Sequence, residues 1–186
     1  KGRMIAQEDS DISFVIGEND LKLMKSLSKA GNDHGKFLRM INVTVDITAP
    51  MYWWKEHDQY KVGTTTNSCS TMHRLLSKPF EMSDFSTDHM TDEAIDTMKI
   101  MIDSLEKIRL KYMETKDKSL WYSLIQLLPE SYHQMRTCTL SYENAIAMYN
   151  ARHTHKLAEW HTFCDWICDL PYFKELFPYV EKSVQQ

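Results

Sequence analysis

Hydrophobic spacing divides the chain into a mixed first half and a second half that reads as helical. Asn19 followed by DLKLMKSLSKAG puts Leu21, Met24 and Leu27 three residues apart, which predicts an Asn-capped amphipathic helix stopped at Gly31. Phe37 to Thr48 alternates Ile41, Val43, Val45 and Ile47 with polar residues, the period of a half-buried strand, and Pro50 ends it. Ile12 to Ile16 is read as a shorter strand pairing with it. From Thr91 the pattern changes: a Thr cap, acids in the first turn, and Ile95, Met98, Ile102, Leu105 and Leu110 predict one long helix. Ser119–Leu128, ended before Pro129, Ser141–Arg152, capped by Ser141, and Lys156–Cys168 complete an all-helical second half. The predicted architecture is α+β, one helix-dominated domain over residues 1–186 with a small antiparallel sheet.

Composition narrows the function classes. A chain of 186 residues with 42% hydrophobic content can bury one substantial core. Its net charge of −4 argues against binding a nucleic-acid polymer, whose backbone calls for a basic face. With no run of eighteen apolar residues and no apolar leader, the expectation is a soluble cytoplasmic protein away from membranes. Cys69, Cys138, Cys164 and Cys168 lack C-x-x-C spacing and read as reduced thiols. His161, Cys164 and Cys168 share a predicted helix face, but without a fourth ligand they favour core over zinc, so no metal site is assigned. The twelve methionines read as core filler.

Two polar clusters carry candidate chemistry. Thr65-Thr66-Asn67-Ser68-Cys69-Ser70 lies between Tyr52, Trp53, Trp54, Lys55, His57, Tyr60 and Lys61 upstream and His73 and Arg74 downstream. Short hydroxyls and an amide beside cations and rings suit a phosphorylated or aromatic small molecule; a Ser/Thr-rich surface turn is the competing reading. Arg152-His153-Thr154-His155-Lys156, between two predicted helices, is either a solvated charged turn or an anion site at the next helix's N-terminus.

Taken in order, these segments resemble flavin-dependent thymidylate synthase, which methylates dUMP using FAD and a folate one-carbon donor. His34-Gly35-Lys36-Phe37 to Pro50-Met51-Tyr52 is similar to the segment leading into the family motif R-H-R-x-x-S-x-N-E-x-S-x-R-Y, and Thr65 to Ser70 falls on its S-x-N-E-x-S part. Leu128-Pro129-Glu130-Ser131, Thr139, Asn144, Asn150-Ala151-Arg152, Ala158-Glu159-Trp160 and Phe177-Pro178 follow the family's C-terminal block. The resemblance implies Arg152 as the arginine that polarises the pyrimidine and Ser70 as the serine lying against the nucleotide. Asn67 is kept as well, and the resemblance implies a homo-oligomer, a tetramer in the family. Where motif residues are lost, His57, Lys61, His73, Arg74, Arg136, His153 and His155 are read as rebuilding a basic pocket of different geometry, with Ser68, His73, Arg74 and Arg136 as candidate nucleotide contacts and His57, Lys61, Thr65 and His155 as candidate cofactor contacts.

The motif is incomplete. Tyr60-Lys61-Val62 stands where R-H-R holds the flavin, Ser68 replaces the motif Glu, Met72 and His73 replace its closing Arg and Tyr, and Ile125 stands at a nucleotide-binding arginine position. FAD is thus the implied cofactor, and these substitutions predict that its binding is weakened or absent. Two classes follow: a thymidylate-synthase-like enzyme on a pyrimidine nucleotide, or a relative that binds or sequesters one without catalysis.

Overall fold

The computed structural model describes residues 3–6, 12–31 and 33–183. Its backbone forms two compact units, one from the chain up to Val43 together with Leu140 onward, the other from Thr44 to Thr139.

In the second unit the alternating stretch becomes β3 (Asn42–Pro50), with Val43, Val45 and Ile47 half-buried between exposed neighbours. The strand starts later than its hydrophobic pattern suggests, because Gly35–Met40 coils into a 3₁₀ turn first. Pro50 closes β3 and leads directly into α2 (Met51–His57). The sheet order is β3-β5-β4, with β4 at Thr65–Ser68 and β5 at His133–Ser141. β5 is a correction to the all-helical second half. Its Thr-rich outward positions and the polar Gln134 and Arg136 on its inward side hide the strand's alternation.

Thr91 caps α4 (Asp92–Thr115) by accepting from the Ala94 N–H, and Asp117 caps α5 (Lys118–Leu127). Met98, Leu105 and Leu124 from these helices bury against Leu75, Phe80, Phe85 and Tyr132. Leu110, expected on the buried face, is 55% exposed, and Arg109 is buried in its stead. Its guanidinium forks onto both Glu106 oxygens at 2.8 and 2.6 Å, so the charge enters the interior already paired. Met98 packs in the core while Met113 is exposed, so only part of the methionine set fills interior space.

In the first unit β1 (Arg3–Ala6) and β2 (Ile12–Val15) pair antiparallel as a separate two-stranded sheet, so the expected pairing of β2 with β3 does not form. Next, α1 (Glu18–Lys29) starts after Gly17, which places Asn19 inside the first turn rather than at the cap; Gly31, at φ +95, takes the left-handed backbone beyond the helix end. Ser141 caps α6 (Tyr142–Arg152) in a reciprocal box with Asn144. It packs on α7 (Ala158–Cys168), whose Trp160, Phe163, Cys164, Ile167 and Cys168 are buried. Among the described residues, no helix is long and apolar enough to cross a membrane.

Candidate functional site

Helix α2 carries three large rings in one turn. Trp53, Trp54 and His57 are all buried, and the His57 ring lies 5.1 Å from each indole. Removal from water pushes the His57 pKa down to about 4; the Arg136 charge adds to this and Asp58 opposes it. His57 is therefore a neutral group at ordinary pH rather than the cation a phosphate would need.

Arg136 projects from β5 onto the same ring cluster. Its Cζ lies 4.4 Å over the Trp54 ring, Nη1 donates to Asp58 Oδ1 at 2.8 Å, and Nε donates to Gln134 Oε1 at 2.8 Å. Gln134 in turn donates to Thr71 Oγ1, and its backbone carbonyl accepts from Trp54 Nε1 at 2.9 Å. These bonds make Arg136 a clasp joining α2, β5 and the start of α3 (Thr71–Arg74).

The motif segment 65–68 is an exposed edge strand, not a loop. Its register on β5 sets Thr65 opposite Thr139, Thr66 opposite Cys138, Asn67 opposite Thr137 and Ser68 opposite Arg136. Strand alternation then sends Thr66 and Ser68 to one face and Thr65 and Asn67 to the other. On the latter face Thr139 Oγ1 meets Thr44 Oγ1 at 2.9 Å and Thr137 donates to Asp46 at 2.6 Å, a polar outer surface. Ser70 follows as the residue before α3, exposed at the loop.

Below that strand a cavity of about 280 Å³ is lined by His57, Asp58, Tyr60, Lys61, Thr64 and Thr66. A turn through Gly63, at φ +77, brings Thr64 back so that its hydroxyl donates to the Tyr60 carbonyl. Of the expected contacts, His57 and Lys61 reach this cavity; Thr65 does not line it, and Thr66 does. Tyr60 and Thr66, named in the candidate cluster without a contact of their own, also line it, and Asp58 and Thr64 are lining residues that sequence reasoning passed over. Arg74 is exposed, Ile125 packs against the apolar core, and the His73 side chain lies outside the described residues.

Arg152 and His155 belong to the other unit. Arg152 ends α6 with its Cζ 4.9 Å over the Trp160 ring, and His153 stacks on Tyr149 at 4.9 Å while its Nδ1 meets the Tyr149 carbonyl. His155 Nδ1 accepts from the Leu157 N–H, which occupies an amide at the start of α7 that an anion would use. His161 Nε2 lies 2.7 Å from the His155 carbonyl, and Cys164 and Cys168 are buried. Burial raises both thiols, Cys164 to about 12, with each neighbouring thiol or acid adding to the shift on Cys164.

No protein-family model matches the sequence, and no curated protein matches it. The chain is similar in structure to flavin-dependent thymidylate synthase ThyX from Helicobacter pylori complexed with FAD and dUMP, with a TM-score of 0.67 and 17% identity over 89% of this chain and 85% of that one. A second ThyX structure from the same organism, also with FAD and dUMP, gives a TM-score of 0.65 and 17% identity over 87% and 82%. With helices dominant and a small three-stranded antiparallel sheet, the chain has the fold of flavin-dependent thymidylate synthase.

Proposed function

We propose that the chain is a thymidylate-synthase-like protein that binds a pyrimidine nucleotide. The observation that carries this reading is the match of nearly the whole fold to a nucleotide enzyme whose structures contain dUMP. In it residues 1–186 act as one domain and, by the resemblance, the site assembles from more than one subunit: Arg152 of one meets the pyrimidine, while Ser70 of another positions it as a polar neighbour rather than a nucleophile and Asn67, Ser68 and Arg74 supply further polar contacts. By the same resemblance the protein is a cytoplasmic homo-oligomer, a tetramer in its full form.

A second reading, flavin-dependent methylation of that nucleotide, is favoured by the FAD in both similar structures. FAD would supply the redox chemistry of methyl transfer. The residues here do not fit its pyrophosphate in the family's manner. Tyr60-Lys61-Val62 offers one cation, Val62 is 89% exposed, His57 is neutral, and two arms of the Arg136 guanidinium are already bonded to Asp58 and Gln134. Binding without catalysis is the reading that the site supports best.

Thermal melting of the purified chain with dUMP, dTMP and a purine monophosphate tests it. A rise in melting temperature confined to the pyrimidine nucleotides is expected; equal or absent shifts for all three would remove the reading. Sedimentation showing a species larger than 22.0 kDa, with ligand affinity falling on dilution, is the expected assembly result.

A further inference from the structure

The last turn of α6 is gripped from outside the helix. A helix end leaves carbonyls without partners in a following turn, so it opens more readily than the middle. Here residues 177–183 form a strap against that end, anchored by the buried Phe177 and Val180. The buried Tyr149 donates through its hydroxyl to the Glu181 carbonyl at 2.8 Å and accepts from the Glu181 N–H at 2.8 Å, and Asn150 Nδ2 donates to the Tyr179 hydroxyl at 3.4 Å. Beyond Glu181 the strap is fixed to α7. Asp165 Oδ1 accepts from the Ser183 N–H at 2.6 Å, and Lys182 Nζ lies 2.6 Å from Asp169 Oδ2. Tyr149 passes this hold to the residues that follow it. His153 stacks on the Tyr149 ring with the two planes 7° apart, and its backbone N–H and Nδ1 both meet the Tyr149 carbonyl. Arg152, immediately before His153, keeps its guanidinium over Trp160 of α7.

We propose that the strap positions Arg152: the Glu181 peptide, acting through the Tyr149 hydroxyl, holds the end of α6 in the arrangement that a nucleotide meets. This inference rests on the reading that Arg152 contacts the pyrimidine, and it adds Tyr149 and the strap as positioning residues. A ligand that needs the ordered end loses affinity in proportion to the time that the end spends open, so loosening the strap weakens binding without touching the ligand. The contact is made by the peptide of Glu181, so residue 181 can change provided that it keeps an N–H. Residue 149 cannot, because phenylalanine fills the same space without the hydroxyl.

Hydrogen exchange of the full chain at the His153 and His155 amides, which donate to the Tyr149 and Arg152 carbonyls, reads opening of this end. Tyr149→Phe and Glu181→Pro, which removes the N–H, should each speed exchange there by roughly tenfold, the effect of one or two neutral hydrogen bonds. Combining them should add little, since both break one contact, and Glu181→Ala should leave exchange as it is. Tyr142→Phe is the control for a merely structural loss: that hydroxyl, also buried on α6, donates to the Pro171 carbonyl at the opposite end of the helix from Arg152. In calorimetric titration, dUMP affinity should fall about threefold or more in Tyr149→Phe and stay unchanged in Tyr142→Phe. Unchanged exchange in Tyr149→Phe, an unchanged dUMP affinity in that variant, or an equal loss of affinity in both tyrosine variants would each overturn the proposal. A chain that binds no dUMP removes the pyrimidine reading instead, and exchange at His153 then decides by itself whether the strap holds the turn that carries Arg152.

Discussion

Arg136 sits over Trp54, its Cζ 4.4 Å from the ring centroid, while its fork reaches Asp58 and Gln134. A residue that reads as a phosphate ligand in sequence is thus engaged in holding α2 against the sheet. Arg136→Ala removes the stacked cation and leaves Asp58 without its partner. Because the Asp58 side chain is 45% exposed, water softens the loss, and a destabilisation of about 1–3 kcal/mol is expected in urea unfolding. Arg136→Lys should recover only part of it, since an ammonium cannot make both bonds in one plane. A change below about 0.5 kcal/mol in Arg136→Ala would show the clasp to be dispensable.

His57 gives the fold a pH dependence with a defined sign. Its pKa is about 4 when folded against an ordinary value of 6.5, so below pH 6.5 the unfolded chain takes up a proton that the native ring does not. Stability should be full above pH 6.5 and fall as pH drops towards 4, by up to about 3 kcal/mol from this group. Unfolding free energy measured at several pH values in wild type and His57→Phe checks it: the substitution should flatten that part of the profile. Parallel profiles would mean that His57 is not the group responsible.

The parts of the fold legible in sequence are those where side-chain period and end signals agree. Thr91 and Ser141 cap α4 and α6 as their positions suggest, and the alternation of Val43, Val45 and Ile47 marks β3. Central strand β5 escaped because an interior-facing strand usually shows alternate apolar residues, whereas here Gln134 and Arg136 take such positions, their side chains satisfied by bonds to each other, to Thr71 and to Asp58. Partners lying far along the chain are invisible to local pattern. Edge strand β4 escaped for the opposite reason: all four of its residues are exposed, and a run of Thr, Asn and Ser looks the same in a turn and in a strand. Register then divided the candidate site, sending Thr66 and Ser68 to one face and Thr65 and Asn67 to the other.

Burial also ranks the cysteines. Cys164 and Cys168 are inside α7's packed face with thiols held protonated, Cys138 is buried with its thiol raised chiefly by desolvation, and Cys69 is partly exposed. Under native conditions near neutral pH, iodoacetamide should modify Cys69 first and the other three only on unfolding. Mass spectrometry of a time course reads the order, and early labelling of Cys164 would contradict this packing of α7.

Arg152→Ala separates a ligand role from a structural one. Loss of its stacking on Trp160 should cost the unliganded protein about 0.5–1 kcal/mol, a small downward shift in melting temperature. If Arg152 meets the pyrimidine, the same variant should also lose the dUMP-induced rise, which depends on ligand affinity and not on the starting stability. An unaltered rise in the variant would take Arg152 out of the nucleotide site.

Restoring the motif tests what Tyr60, Lys61 and Val62 have changed. Lys61 and Val62 are exposed and Tyr60 is partly so, so Tyr60→Arg, Lys61→His and Val62→Arg can be made together without opening the core. Two guanidinium groups would then stand where the chain now has a phenol and an isopropyl group, each able to grip a phosphate through two parallel bonds. Each added charge-assisted bond is worth about 1.5–3 kcal/mol, so FAD affinity in a fluorescence titration should rise at least tenfold over the unaltered chain. If the unaltered chain already binds FAD at micromolar concentration or below, and the triple variant gains nothing, other residues supply the flavin's charge partners and the methyl-transfer reading takes precedence over binding alone.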